Sequence, residues 1–257
     1  MEKIPVQSLE RAFALLETLS QNPRGIGLVE LSSQTLLHKS TVHRLLSSMI
    51  GMGYVVKDSF SGLYRLTYKL LELSSSVLYG TDILTSAKPH LDLLAEQAGE
   101  SVHLVFPDDF RIVYVYKNDT SSHTFQMRSH IGLRNPMYST AVGKSILATL
   151  SADEVAKIWD ESNVRAITPN TVTTLAQLTA QLDRVRNLGY ALDNEENETG
   201  VRCVGVSIPD QTGRAVAAIS VSAPASRMTD ERIGVLVPSL LACRDNIRKD
   251  LGYPAMS

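Results

Sequence analysis

The sequence is poor in cysteine, in long apolar runs and in net charge. Its two cysteines, Cys203 and Cys243, stand far apart and form no CxxC pair, which argues against a disulfide framework and for a reducing cytoplasm. No stretch of about 18 apolar residues occurs, and no apolar segment follows a basic start at the N-terminus. We therefore expect a cytoplasmic protein with no membrane span and no signal peptide.

The low net charge hides an uneven distribution. The chain of 257 residues carries a formal charge of −2, which excludes a uniformly basic coat for nucleic acid. Residues 1–65 hold seven Lys or Arg and five acidic residues, a net charge of +2, so the remainder carries −4. This sign is expected for a nucleic-acid-binding module joined to an acidic domain.

Three helices and a hairpin are predicted in the N-terminal quarter. Ser8 is a candidate cap for the first helix and Ser40 for the third, while a short second helix over 28–34 is expected to bury Val29 and Leu31. The apolar stripe of the first helix is Leu9, Ala12, Phe13, Leu15, Leu16 and Leu19. That of the third is Val42, Leu45, Leu46, Met49 and Ile50. Two strand-like segments, 54–57 and 63–66, follow.

Helix–turn–helix followed by a hairpin is the winged-helix pattern. The third helix of such a domain fits the major groove, and its hairpin touches phosphates or the minor groove. The exposed residues at the start of the third helix are Lys39, Ser40, Thr41, His43 and Arg44, with no acid among them. We expect Thr41 and Arg44 to contact base edges. Lys39 and Ser40 are expected to bind phosphates. Lys57, Ser61 and Arg65 of the hairpin are predicted to contact the DNA backbone. An ordinary solvated helix is the alternative.

An α+β domain is predicted beyond a linker helix at 67–79. The apolar linker positions Leu70, Leu71, Leu73, Val77 and Leu78 are candidate dimer contacts, or they pack on their own domain. Strands are expected at 101–106, 111–118, 124–129, 202–208 and 215–223. Helices are expected at 82–97, 140–150, 152–160, 175–188 and 230–251. Helices interleaved with a mainly antiparallel sheet define the class.

Residues 135–148, NPMYSTAVGKSILA, contain the first candidate ligand site. Their Gly-Lys-Ser resembles the end of a P-loop, but Tyr138 stands where that motif needs glycine, which excludes a nucleotide site. Ala141, Val142 and Gly143 open a helix, and the free N–H groups and positive dipole there suit a carboxylate. A plain capped helix with small residues for close packing is the alternative.

Residues 193–206 combine an acidic stretch with a strand. The acids Asp193, Glu195, Glu196 and Glu198 are too dense for a core and indicate a solvated loop. Cys203 is expected to be a small buried residue. Catalysis by Cys203 with His103 has no supporting local signature, and a metal site formed by these two with Asp193 has no supporting spacing. Ser220 and Ser222 share one sheet face, toward either a ligand or solvent.

In order and spacing, these stretches resemble the IclR family of bacterial transcriptional regulators over nearly the whole chain. The matching motifs are residues 6–12 (opening helix), 39–46 (recognition helix), 53–55 and 64–66 (wing), and 139–144, 189–196 and 200–203 (effector-domain signature). Runs 134–141 and 193–196 are similar to members that control sugar-acid catabolism. Two departures are His43, where the family varies, and the Leu36–Leu37 turn, which lacks the glycine often found there.

The resemblance implies a winged helix-turn-helix domain over 1–66, a linker helix over 67–80 and a GAF-like effector domain over 81–257. It implies a homodimer or homotetramer that binds double-stranded operator DNA and no cofactor. Ser8 and Arg11 of the opening helix join the predicted DNA contacts. The predicted effector site is Ala141, Val142, Gly143, Asp193, Cys203, Ser220 and Ser222, with Asp193 accepting from a ligand hydroxyl.

The implied function is a repressor of a carbohydrate or sugar-acid operon that a small carboxylate or sugar-acid effector modulates. The acidic wall would repel dicarboxylates. Two other functions remain open from the residues alone: an enzyme or metabolite-binding protein with an incidental helical N-terminus, and a dimerisation module that does not bind DNA. Affinity for DNA at two salt concentrations separates them, because a phosphate-dominated complex weakens steeply with salt.

Overall fold

The computed structural model describes residues 6–73, 82–119 and 127–253. The chain divides into two compact units, Met1–Gly80 and Thr81–Ser257. Within the described residues, no helix is both long and apolar enough to cross a membrane.

Residues 6–66 of the first unit form three helices and a two-stranded antiparallel hairpin. Its elements are α1 (Gln7–Ser20), α2 (Leu28–Thr35), α3 (Lys39–Gly51), β1 (Val55–Lys57) and β2 (Tyr64–Leu66). Ile26 forms an isolated antiparallel bridge with Tyr64, which ties the segment before α2 to the hairpin. One core cluster joins all five elements through residues such as Leu15, Leu31 and Leu46.

Three details of the predicted N-terminal helices are wrong. The N-cap residues are Val6 and His38, and neither Ser8 nor Ser40 caps its helix, because each helix begins before the predicted serine. Val29 is exposed rather than buried. The exposed apolar residues Leu9, Phe13 and Ile50 also lie outside the core, because the buried stripe of each helix is narrower than its apolar pattern.

The turn between α2 and α3 takes a left-handed conformation without glycine. Leu36 has φ +55° and ends α2 as its C-cap. A left-handed backbone places Cβ close to the carbonyl oxygen and costs roughly 1–2 kcal/mol in an L-residue. The turn therefore keeps the left-handed backbone that favours glycine, although leucine stands there.

The predicted linker helix is only partly within the described residues. Residues 69–73 are helical, and the positions predicted at Val77 and Leu78 lie outside the described range. Thr67 Oγ1 donates to Gly53 O at 2.6 Å, and Lys69 Nζ donates to Met52 O at 2.8 Å. These bonds fasten the start of the linker to the carboxyl end of α3.

The described residues of the second unit form a six-stranded antiparallel sheet with helices, as the α+β prediction requires. Its strands are β3 (Ser101–Asp108), β4 (Arg111–Asn118), β5 (Arg134–Pro136), β6 (Ala191–Asn194), β7 (Val201–Pro209) and β8 (Ala215–Pro224). Its helices are α4 (Asp82–Ala98), α5 (Ala141–Leu147), α6 (Ala152–Glu161), α7 (Leu175–Leu188) and α8 (Asp230–Asp250). The strand order is β5-β4-β3-β8-β7-β6, with every neighbouring pair antiparallel.

Helix ends in this unit follow local capping chemistry. Ser151 and Glu154 form a capping box at the start of α6. Thr174 accepts from the N–H of Gln177 at the start of α7, and Gly189 ends that helix with φ +78°. Thr140 caps α5 by accepting from the N–H of Gly143. Because these caps are sequence-local, the bounds of α7 match the prediction.

Two predictions for the sheet are wrong. The strand expected at 124–129 is absent from 127–129, its described part, and the edge strand beside β4 is β5 instead. The acidic stretch is not a solvated loop at its start. Asp193 lies in β6 and is buried, and Glu196, just beyond the strand, is buried as well. Helix α5 is also shorter than the predicted 140–150.

Candidate functional site

The first predicted site is the amino-terminal end of α3. Lys39, Ser40, His43 and Arg44 are exposed there, and Thr41 is half-buried. Neither Lys39 nor Arg44 pairs with an acid anywhere in the described residues. The buried side of the helix, including Val42 and Leu46, packs in the core. The surface is therefore cationic, rigidly supported and open to an anionic partner.

The hairpin loop is tightly ordered by one carboxylate. Asp58 Oδ1 accepts from the N–H of Phe60 at 3.1 Å, from the N–H of Ser61 at 2.8 Å and from the hydroxyl of Ser61 at 2.9 Å. These bonds hold the pKa of Asp58 below its usual value. Ser61, predicted to contact phosphate, thus donates its hydroxyl within the loop, while Lys57 and Arg65 remain exposed.

The two predicted contacts on α1 differ in exposure. Ser8 is exposed and Arg11 is half-buried. Both lie in the first two turns of the helix.

The second predicted site is assembled by strand register. Asp193 pairs with Cys203, and Cys203 pairs with Ser222, across β6, β7 and β8. In the adjoining row, Ser220 pairs with His103 of β3. Because directly paired residues point to the same face, these side chains come together although they are far apart in sequence.

A cavity of about 520 Å³ lies over this face. Six of the seven predicted effector residues line it: Ala141, Val142, Asp193, Cys203, Ser220 and Ser222. His103 and Tyr114 also line it, with their rings edge to face at 5.2 Å. The volume lies within the range of about 300–1,000 Å³ typical of small-molecule sites.

Gly143 is the predicted residue that does not line the cavity. Its N–H already donates to Thr140 Oγ1 at 3.1 Å. A Cβ added at this position would overlap the backbone of Met137. The structure therefore gives this glycine a packing role, and of the three predicted donors only Ala141 and Val142 line the cavity.

Asp193 is buried at 3% exposure in the cavity wall. Its Oδ1 accepts from the N–H of Glu196 at 2.7 Å and of Asn197 at 3.3 Å. Burial raises its pKa to about 7, while the nearby Lys144 and these N–H groups oppose the rise. The carboxyl is thus partly protonated at neutral pH, and the predicted repulsion of dicarboxylates is correspondingly weaker.

His103 and Cys203 are both uncharged in this wall. Burial lowers the pKa of His103 to about 3, and its Nε2 lies 3.0 Å from Ser129 Oγ. Cys203, expected to be buried, is half-buried, and the partial loss of hydration at the cavity wall raises the pKa of its thiol above its ordinary value, which opposes thiolate chemistry. No group of three His, Cys, Asp or Glu side chains in the described parts of the chain is arranged to hold a metal ion.

Sequence reasoning missed a buried ion pair behind the cavity. Lys144 is 1% exposed, and its Nζ lies 2.6 Å from Glu196 Oε1 and 2.8 Å from Gln181 Oε1. Glu196 Oε2 is buried without a hydrogen-bond partner in the described structure. The Gly-Lys-Ser run held the only signal, a lysine on the buried side of a short helix of small residues.

The arginines of the cavity were also missed. Arg111, Arg128, Arg134 and Arg165 contribute to its lining and are exposed. Arg134 Nε lies 2.9 Å from Asp108 and Arg128 Nε 4.0 Å from Glu198, while Arg111 and Arg165 pair with no described acid. The entrance therefore carries exposed cations, and the wall contains two acids, Asp193 and Glu198, beside the neutral polar groups.

Two family descriptions match the chain: "Bacterial transcriptional regulator IclR C-terminal" over residues 75–249 and "IclR helix-turn-helix domain" over residues 8–59. The chain belongs to the IclR family. It is a DNA-binding transcriptional regulator of that family and not an enzyme. The enzyme alternative is thereby set aside, and the winged helix with an α+β effector domain is confirmed.

Relatives cover nearly the full length of this regulator. The HTH-type transcriptional regulator KdgR of Escherichia coli K12 is 39% identical over 96% of this chain and 94% of its own. The DNA-binding transcriptional repressor YiaJ of the same strain is 34% identical over 96% of this chain and 88% of its own. The crystal structure of Thermotoga maritima IclR matches with a TM-score of 0.82 at 34% identity, over 96% of this chain and 99% of that one.

Proposed function

We propose that this regulator represses a carbohydrate or sugar-acid catabolic operon and is released by a small carboxylate effector. The observation that carries the proposal is the cavity, since six residues predicted from sequence line a single space of about 520 Å³. A repressor rather than an activator is supported by YiaJ, a repressor similar over nearly the whole chain.

The polarity of the cavity supports a hydroxylated acid as effector. The N–H groups of Ala141 and Val142 open α5 and have no acceptor within the helix, so they suit a carboxylate. Arg111 and Arg165, which pair with no acid in the described parts of the chain, attract an anion to the entrance. The serines of the wall, together with neutral His103, offer both donors and acceptors to ligand hydroxyls.

DNA binding is proposed to use α3 for base edges and the hairpin for the backbone. We expect Thr41 and Arg44 to contact bases, and Lys57 and Arg65 to contact phosphates. Arg44→Ala should cost about 1–3 kcal/mol on the operator and relax sequence preference, whereas Lys57→Ala should weaken all duplexes and lower the salt slope by about one. Equal weakening on operator and random DNA would place Arg44 on the backbone instead.

A symmetric homodimer or homotetramer is proposed because a single winged helix contacts too few base pairs for a specific operator. The half-exposed linker side chains Leu71 and Leu73 are candidate contacts. Sedimentation of the full chain should show a dimer or larger at concentrations that bind DNA. A monomer that binds the operator with full affinity would contradict this proposal.

The effector proposal is tested by a thermal-shift screen of the full chain against sugar acids and other small carboxylates. A ligand at one hundred times its dissociation constant adds roughly 2.7 kcal/mol of stability. The ligand found should also release the protein from the DNA upstream of its own gene. If no carboxylate shifts the transition while neutral sugars do, the carboxylate assignment fails.

Three variants and one control localise that ligand. Ser222→Ala removes one hydroxyl from the wall and should weaken calorimetric affinity by about 1–3 kcal/mol. Ala141→Leu should block the cavity by its bulk and abolish binding, while Ala152→Leu, on an exposed position of α6, adds the same bulk elsewhere. Asp193→Ala should keep DNA binding and lose the response to effector. Unchanged affinity in the first two variants would move the site elsewhere in the domain.

A further inference from the structure

An aromatic side chain in the hairpin of the first unit is almost fully exposed. Phe60 is 98% exposed at the tip of the hairpin between β1 and β2. Burying an aromatic ring is normally worth about 1.5–3 kcal/mol, so a fully hydrated one gives up that stabilisation in the isolated chain.

The loop holds this ring outward. Asp58 Oδ1 accepts from the backbone N–H of Phe60 itself and from both donors of Ser61. The N–H of Asp58 donates to Leu63 O at 2.8 Å, and the N–H of Gly62 donates to Asp58 O at 2.9 Å. Five hydrogen bonds thus close a loop of six residues, so the backbone that carries the ring is held in a defined conformation, and binding has only the side-chain torsions of Phe60 left to order.

The charges around the ring favour an anionic partner. Lys57 and Arg65 form no salt bridge with an acid in the described residues. They lie on the two strands that flank the loop. Against these two cations stands one acid, Asp58, whose Oδ1 is turned into the loop by its hydrogen bonds. The hairpin 55–66 therefore carries a net charge of +1 with an apolar tip.

We propose that Phe60 enters the minor groove of bound DNA, where its ring packs against the deoxyribose walls while Lys57 and Arg65 hold the flanking phosphates. Proteins that bind the minor groove frequently place apolar side chains in it, among them phenylalanine. The inference rests on the DNA-binding function and adds a residue that neither a charge pattern nor a recognition-helix argument selects. It assigns the apolar part of the interface to the wing.

The test uses the full chain and a duplex from upstream of its own gene, titrated at several salt concentrations. Phe60→Ala should weaken binding about tenfold at every salt concentration and leave the slope of log K against log salt unchanged, because a ring releases no counterions. Lys57→Ala should lower that slope. Phe60→Leu should recover part of the affinity, and Ser59→Ala, an exposed neighbour on the same loop, should bind as wild type does.

Hydroxyl-radical footprinting locates the contact, because cleavage occurs at sugars facing the minor groove. Phe60→Ala should lose protection only where the wing lies and keep the protection centred on the recognition helix. Wild-type affinity in Phe60→Ala would overturn the inference while leaving DNA binding intact. A shift of Phe60→Ala toward smaller oligomers in sedimentation would also overturn it, since the ring would then face a second copy. A wild-type chain that bound no duplex would remove the function on which the inference rests.

Discussion

Replacing Asp193 by asparagine should change how the stability of the effector unit depends on pH. The folded pKa of about 7 lies above the ordinary 3.8, so the folded protein binds this proton more tightly than the unfolded chain. Stability is therefore highest when the group is protonated in both states and falls as pH rises from about 4 to about 7. Above that window the buried charge costs about 4 kcal/mol, since each pKa unit is worth about 1.4 kcal/mol.

Asparagine keeps an oxygen that can accept from the N–H groups of Glu196 and Asn197, and it cannot ionise. Between about pH 5 and about pH 8, wild type should lose roughly 3 kcal/mol relative to Asp193→Asn. Other titrating groups, including His103, are common to both proteins and cancel in the difference.

Urea unfolding followed by tryptophan emission measures this difference in the effector unit alone. The single tryptophan, Trp159, lies on α6 and packs edge to face on Tyr138 with ring centroids 5.8 Å apart. Its emission therefore reports this unit and not the winged helix. Parallel stability curves for the two proteins, within about 0.5 kcal/mol at every pH, would refute the reasoning. The charge of Asp193 would then be stabilised in the fold as well as it is in water.

Three further outcomes are expected. Lys144→Met should destabilise the effector unit by about 3–5 kcal/mol, because it strands the Glu196 carboxylate in the interior, and adding Glu196→Gln should restore part of the loss in the same urea assay. Gly143→Ala should cost about 1–3 kcal/mol or more, since its methyl group overlaps neighbouring backbone, and an unchanged midpoint would deny the close packing of α5. Leu36→Gly should stabilise the winged helix by up to about 1 kcal/mol, because glycine adopts the left-handed backbone without strain. Amide hydrogen exchange in α2 and α3 should become slower, and faster exchange would contradict this expectation.

Periodicity and local chemistry in the sequence were enough for the helices and the long strands, but they did not predict the short edge strands β5 and β6. The stripe of Val42, Leu46 and Met49 specified the buried side of α3. The polar residues between them were therefore predicted to be exposed. Thr174 and Gly189 marked both ends of α7, because caps depend on neighbouring residues only. The family resemblance rests on motifs that are themselves local. It predicted the whole architecture and is confirmed.

The sequence could not predict which apolar residues the core would take or which acids it would bury. Leu9 and Phe13 fit the helical stripe and are exposed, because the core needs only part of the apolar side of α1. Asp193 and Glu196 appeared solvated because buried charge is rare. They are buried because Lys144, distant in sequence, and two backbone N–H groups compensate for lost hydration.

The cavity was likewise decided by tertiary structure. Ser220 and Ser222 were known to share a face, yet only the register of β3, β8, β7 and β6 sets them beside His103, Cys203 and Asp193. Pairing register depends on contacts between strands far apart in the chain, and a slip of one residue would turn every one of these side chains to the other face. The sequence determined the helices and the family, whereas long-range strand pairing determined the candidate effector site.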